Sequence, residues 1–172
     1  MQSQSQNQCH NCKVGMMQVP KDQNPSYLVC NSCLAIELTY EPQDYQEDMH
    51  TVNSETGIDI VAVFGGYGSG KSKATLQEFL VRALENPRGT GLFAAQTLGQ
   101  LKKTTLKTWF DEVCPPPLIE GYNKSDGIIT LVNGFKIFVV ATDEEQKIRS
   151  MTIGLAHIEE IEAITNAIYT QV

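Results

Sequence analysis

Apolar residues along this chain gather into three runs, the last of them interrupted by His157, separated by stretches of other periodicities. Ile60-Val61-Ala62-Val63-Phe64 carries no polar side chain, which is the pattern of a strand buried on both faces. Leu76, Phe79, Leu80, Ala83 and Leu84 then recur at helical spacing, and Asn86-Pro87 stops that helix. Gly91–Ala95 is a second buried strand. Thr97 with Gln100 resembles a capping box, opening a helix through Leu98, Leu101, Trp109 and Val113 that Pro115-Pro116-Pro117 ends. Ile128–Val132 and Phe135–Ala141 flank Asn133-Gly134, the signal for a hairpin with a type I′ turn. A short capped turn at Thr142–Lys147 leads to the third run, Met151–Ile158, which ends in Glu159-Glu160 and a further helical stretch. No internal repeat is visible. Strand–helix–strand order of this kind predicts an α/β fold, a parallel sheet with flanking helices.

Upstream the pattern changes. Residues 1–8 are polar and lack both a basic start and an apolar core, so they read as a disordered tail and not as a secretory signal. Residues 9–40 hold four of the five cysteines and two short β-rich runs, Tyr27–Cys30 and Leu34–Tyr40. An acidic, polar connector spans Glu41–Asp59. The organisation expected is therefore a tail (1–8), a small metal-bound ribbon (9–40) and an α/β domain (41–172). With 172 residues, 41% of them hydrophobic, the chain can bury one core plus a small appendage. No run of eighteen apolar residues offers a membrane span. The net charge of −7 has the wrong sign for a protein that coats nucleic acid as a whole, so any such contact must be local.

The cysteines supply the first chemistry. Cys9-x2-Cys12 and Cys30-x2-Cys33, seventeen residues apart, match a structural Zn²⁺ site of four thiolates. Some thirty residues cannot bury a sufficient core alone, and metal binding, on the order of 10–16 kcal/mol in small zinc peptides, can supply the folding energy. Two disulfides or free buried thiols are the ordinary alternative. His10 reads as a bystander, and Cys114 carries no metal signal. Such a closed site is structural, suited to docking on DNA or protein.

The second chemistry lies between the first apolar run and the first helical stripe. Gly65, Gly66, Tyr67, Gly68, Ser69, Gly70, Lys71 and Ser72 fit G-x4-G-K-[ST] in full, and strand-to-helix is the context the motif requires. Glycines let the backbone curl N–H groups around a β-phosphate at a helix N-terminus. Lys71 then bridges β- and γ-phosphate oxygens, and Ser72 ligates Mg²⁺. The alternative is a plain glycine-rich turn. At the end of the third run, Glu159 is assigned to the metal ion and Glu160 to the attacking water. The alternative there is the acidic start of a solvated helix, as Glu162 suggests. These features make ATP and Mg²⁺ the expected ligands.

Several segments together resemble the ATPase domain of large terminase subunits, the DNA-packaging motors of tailed bacteriophages. Glu41-Pro-Gln-Asp-Tyr45-Gln46-Glu-Asp-Met49 looks like their adenine-recognition segment, which implies that Gln46, with Tyr45 beside it, reads adenine. Phe64–Ser72 is similar to their phosphate loop, and Gly121 through the Asn133-Gly134 hairpin looks like their strand pair between the ATPase motifs. Lys147-Ile-Arg149-Ser150 stands where these proteins carry a basic residue, which implies that Arg149 acts as an arginine finger on a neighbouring subunit's ATP. The resemblance covers about residues 41–170. It implies a P-loop NTPase fold of the ASCE type and duplex DNA as the track. It further implies a portal protein and small terminase subunit as partners, a homo-oligomeric ring, and the cytoplasm of a bacterial host.

A complete domain of that family continues past its acidic pair, so the chain is expected to be a fragment with an incomplete sheet. Two other readings stand beside this one: a helicase or helicase-primase fragment with a zinc ribbon, and a non-catalytic zinc-ribbon adaptor with a vestigial ATPase core. Lys102, Lys103 and Lys107 are open to two readings, a DNA-facing patch or the solvated helix face that such spacing more often means.

Overall fold

A computed structural model describes residues 8–9, 11–13, 17–18, 27–30, 35–54, 60–142, 148 and 151–160. The chain divides into two compact units, Met1–Pro42 and Gln43–Val172. In the first unit, β1 (Met17–Gln18), β2 (Tyr27–Cys30) and β3 (Ile36–Leu38) form a three-stranded antiparallel sheet in that order. Cys9, Met17 and Cys30 are its buried apolar cluster, too few for a stable hydrophobic core.

The second unit opens with α1 (Asp44–Ser54), where the sequence had read as connector. The cap explains the helix. The main-chain N–H of Glu47 bonds the carbonyl of Gln43, and the Gln46 side-chain oxygen reaches back to the Gln43 N–H at 2.9 Å. This is the reciprocal half of a capping box, with Gln in place of Glu. Helix α2 (Lys71–Glu85) follows the glycine loop and buries Ala74, Leu76, Phe79, Leu80 and Ala83 at the expected spacing.

The main sheet holds β4 (Thr90–Ala95), β5 (Ile119–Asn123), β6 (Ile128–Leu131), β7 (Lys136–Ala141) and β8 (Leu155–Ile158), in the order β5-β6-β7-β4-β8. Strand β4 pairs in parallel with β7 and β8, whereas β5, β6 and β7 form an antiparallel meander. On one face of β4, Leu92 and Ala94 pack with Val140 and Ile148. On the other, Phe93 meets Phe79 and Trp109 at ring separations of 4.8 and 5.1 Å. Gly91 is required there: a Cβ would come within 2.6 Å of the Phe79 ring and 2.8 Å of Phe135. Apolar burial on both faces is why β4 reads as a continuous run.

Three expectations are corrected. The run Ile60–Phe64 belongs to neither sheet, and Ile60 and Phe64 are 72% and 82% exposed. Hydrophobicity prepares a segment for burial, but a strand also needs a paired neighbour for its N–H and C=O groups, and no strand pairs with this run among the described residues. The helix opened by Thr97 is not continuous. It divides into α3 (Leu98–Lys103), α4 (Thr105–Thr108) and a wide turn at Trp109–Val113 closed by Cys114 N–H on the Trp109 carbonyl. The break falls at two adjacent β-branched threonines, of which Thr104 turns its hydroxyl onto the Gln100 carbonyl at 3.0 Å.

The hairpin is also not of type I′, since Asn133 does not take positive φ. Gly134 (φ 81°) does, and Leu131 and Phe135 close a three-residue loop, the form with a glycine bulge. Asn133 is drawn elsewhere: its amide donates to the Ala83 carbonyl at 2.8 Å and so satisfies the end of α2. No helix among the described residues is long and apolar enough to cross a membrane. The turn at 143–147 and the stretch after Glu160 lie outside the described residues.

Candidate functional site

The glycine loop and the acidic pair meet. Ser72 in the first turn of α2 donates its hydroxyl to Glu159 at 2.7 Å, joining positions 87 residues apart. Register explains the meeting: β8 pairs in parallel with β4, and the Glu159 N–H continues the ladder onto the Ala94 carbonyl. The strand thus ends with its carboxylates level with the start of α2.

Glu159 is held by more than Ser72. Thr105, fully buried in α4, donates to its second oxygen at 3.1 Å, and His157 Nε2 lies 3.1 Å from the same atom. A carboxylate accepts only, so His157 carries its proton on Nε2. The His157 hydrogen bond, supported by those of Ser72 and Thr105, outweighs burial and holds the Glu159 carboxyl at about 2. It is an anion at any ordinary pH. His157 is itself fixed edge-on against Phe93 at 5.8 Å.

Glu160 faces differently. It is exposed, its backbone sits at φ 49°, and Gln100 of α3 donates its amide to the carboxylate. A left-handed non-glycine residue costs on the order of 1 kcal/mol and concentrates at working sites. Thr97 caps α3 as expected, accepting from the Gln100 N–H at 3.2 Å, but the Gln100 side chain goes to Glu160 and not back to the cap.

The loop is closed on itself. Lys71 donates to the carbonyls of Gly65 and Gly66 at 2.8 and 2.9 Å. Gly68 and Gly70 take φ of 75° and 80°, which only glycine adopts freely. Tyr67 is fully exposed at the tip. The Ser69 hydroxyl is buried with no partner, a polar group still owed a hydrogen bond. An anionic ligand cradled by the loop fits those donors.

Tyr45 and Gln46 lie against this loop. The Tyr45 hydroxyl donates to the Ser69 carbonyl, and the Gln46 amide donates to the Gly70 carbonyl at 3.3 Å. A Cβ on Gly70 would meet the Gln46 amide at 2.9 Å, so both the dihedral and the approach demand glycine. Arg149 lies outside the described residues.

In the small unit, the thiol sulfurs of Cys9, Cys12 and Cys30 lie within 4.8 Å of one another, and Cys12 Sγ is 3.7 Å from Cys30 Sγ. That spacing is far beyond a disulfide's ~2.05 Å. It matches the edge of about 3.8 Å expected of a tetrahedron with ~2.3 Å metal–sulfur bonds. This cluster can hold a metal ion. Cys33 lies outside the described residues. Burial pushes the Cys114 thiol up to about 12, which leaves it inert.

Three participants escaped the sequence reading. His157 looked like a flaw in an apolar run, Thr105 belongs to no motif, and Gln100 was read only as the partner of the Thr97 cap. Only the polar interruption at His157 was a usable signal.

Residues 63–172 match the family described as terminase large subunit, T4-like virus type, N-terminal. No curated protein sequence matches the chain. Among solved structures it is similar to the large terminase ATPase domain of Thermus phage P74-26, with a TM-score of 0.51 and 18% identity over 77% of this chain and 58% of that one. The likeness is one of fold, and the chain spans less than two thirds of that domain.

Proposed function

This chain belongs to the family of T4-type terminase large subunits, which it matches in their N-terminal region, and from that premise we propose that it binds and hydrolyses ATP to drive duplex DNA into a capsid. The observation that best supports the reading is the 2.7 Å hydrogen bond between Ser72 and Glu159, the two side chains a nucleotide-bound magnesium requires. Mg²⁺ held by that pair would supply positive charge to the β- and γ-phosphate oxygens. Glu159 needs no proton release to serve, because His157, Ser72 and Thr105 already hold it ionised. Lys71 exchanges the Gly65 and Gly66 carbonyls for phosphate oxygens, and Glu160 accepts the proton of the attacking water once Gln100 yields it. Gln46 and Tyr45 brace the loop and stand where an adenine could exchange for those contacts.

The remaining assignments rest on the family. Arg149 is the arginine finger toward a neighbouring subunit in a homo-oligomeric ring. The portal protein and the small terminase subunit are the partners, and the host cytoplasm is the setting. The cysteine spacing and the sulfur cluster, and not the family match, which begins at residue 63, support Zn²⁺ held by Cys9, Cys12, Cys30 and Cys33 as the organiser of the small unit.

Titration of the 172-residue protein with a fluorescent ATP analogue and Mg²⁺ tests the reading. Lys71→Ala is expected to abolish binding. Glu159→Gln should keep weak binding and lose its dependence on Mg²⁺. Undiminished binding by Lys71→Ala would remove the assignment. Turnover, where measurable, should fall by orders of magnitude in Glu160→Gln while binding persists.

A further inference from the structure

Away from the glycine loop, a cleft of about 720 Å³ opens between the helical segment 102–111 and β5. Its lining includes an apolar patch. Phe110 and Tyr122 lie with ring centroids 5.5 Å apart at 34°, both half-buried, beside Leu106. Its rim is basic: Lys102, Lys107 and Lys124 against the one carboxylate of Asp111, three positive charges against one negative. Asp111 is committed to Lys107 at 3.0 Å. Lys102 and Lys124 are exposed and have no ion pair among the described residues, and Lys103 extends the basic edge along α3. In a chain of net charge −7 such a local reversal selects a polyanion.

We propose that this cleft binds a single-stranded polynucleotide segment, one base stacked over the Phe110–Tyr122 pair and the flanking phosphates on Lys102 and Lys124. Lysines alone would suit any phosphate backbone. The aromatic floor discriminates, because a duplex hides its base faces and an unpaired strand offers them. A cleft of this volume lies within the range that encloses small ligands, enough for a nucleotide unit. None of the loop residues 65–72 lines it, so occupancy does not require ATP.

The test is fluorescence anisotropy on the full 172-residue protein with a labelled oligothymidylate and a hairpin-capped duplex of equal charge. The single strand is expected to bind in a way that depends on Tyr122, and any binding of the duplex is expected not to. Lys102→Gln with Lys124→Gln should weaken it about tenfold at low salt and lower the logarithmic salt slope by about 1.4, some 0.7 per phosphate contact. Tyr122→Ala should weaken it between ~5- and ~150-fold, the range for one stacked base, and leave the salt slope unchanged, whereas Tyr122→Phe binds as the wild type. If Tyr122→Ala fails to fold, the surface lysine pair decides. Lys71→Ala should bind as the wild type; loss there would put the strand in the glycine loop and overturn the proposal. Tyr122→Ala weakening the duplex as much as the single strand, or lysine variants indistinguishable from wild type, would overturn it too.

Discussion

The two arms of the candidate nucleotide site are delivered by apolar runs of similar composition and very different support. Leu155–Ile158 is stitched to β4 by a parallel ladder that continues to Glu159, and the carboxylate it presents is fixed by three side chains. Ile60–Phe64 presents the glycine loop from a segment that joins no sheet and leaves Ile60 and Phe64 in solvent. Its loop is positioned from other directions: by α2, by Tyr45 and Gln46 on α1, and by Ser72 on Glu159. Apolar sequence is thus a condition for burial and not a cause of it. What the carboxylate arm gains from sheet register, the phosphate arm gains from individual polar contacts.

Breaking the sheet side should cost most. Phe93→Ala removes the ring that joins β4 to Phe79, Trp109 and His157, and should lower stability by about 3–5 kcal/mol in a denaturant titration. Acid comes next. Because the folded-state value of Glu159 is depressed from 4.5 to about 2, its contribution is complete above about 4.5 and is lost as pH falls toward 2. That loss should be on the order of 2 kcal/mol after allowing for screening, and thermal melts of Glu159→Gln should be flatter over the same window. On the phosphate arm, Gln46→Ala should cost about 1 kcal/mol and appear chiefly as faster amide exchange at residues 68–72, since the amide braces Gly70. Equal acceleration in β4 would show that the two arms are one cooperative unit. Smallest of all, Phe64→Ser should move the denaturation midpoint of this chain by less than ~0.5 kcal/mol, and a Phe93-sized loss would mean the run is buried after all.

Much of this was legible in the residues. The glycine loop, the acidic pair, the cysteine spacing, β4 and the β6–β7 hairpin all announce themselves by spacing or composition, because each obeys a local rule. What escaped did so for identifiable reasons. Helix α1 looked like connector because its cap uses Gln43 and Gln46 where Ser and Glu are the usual signal. Asn133-Gly134 suggested a two-residue turn, but the Asn133 amide is taken by the end of α2, a partner some fifty residues distant. His157 looked like a blemish and is the main restraint on Glu159.

From sequence alone came the candidate chemistry of this protein: a glycine loop with Lys71 and Ser72, two carboxylates at a strand's end, and thiols spaced for a metal. Those follow from covalent neighbours and short periodicities. Only the tertiary structure decided that Thr105 and His157 hold Glu159, that Gln100 ties Glu160 back, and which of two similar apolar runs enters the sheet. Those outcomes depend on strand register and on hydrogen-bond partners 54 to 87 residues away, and no local pattern encodes a partner at that distance.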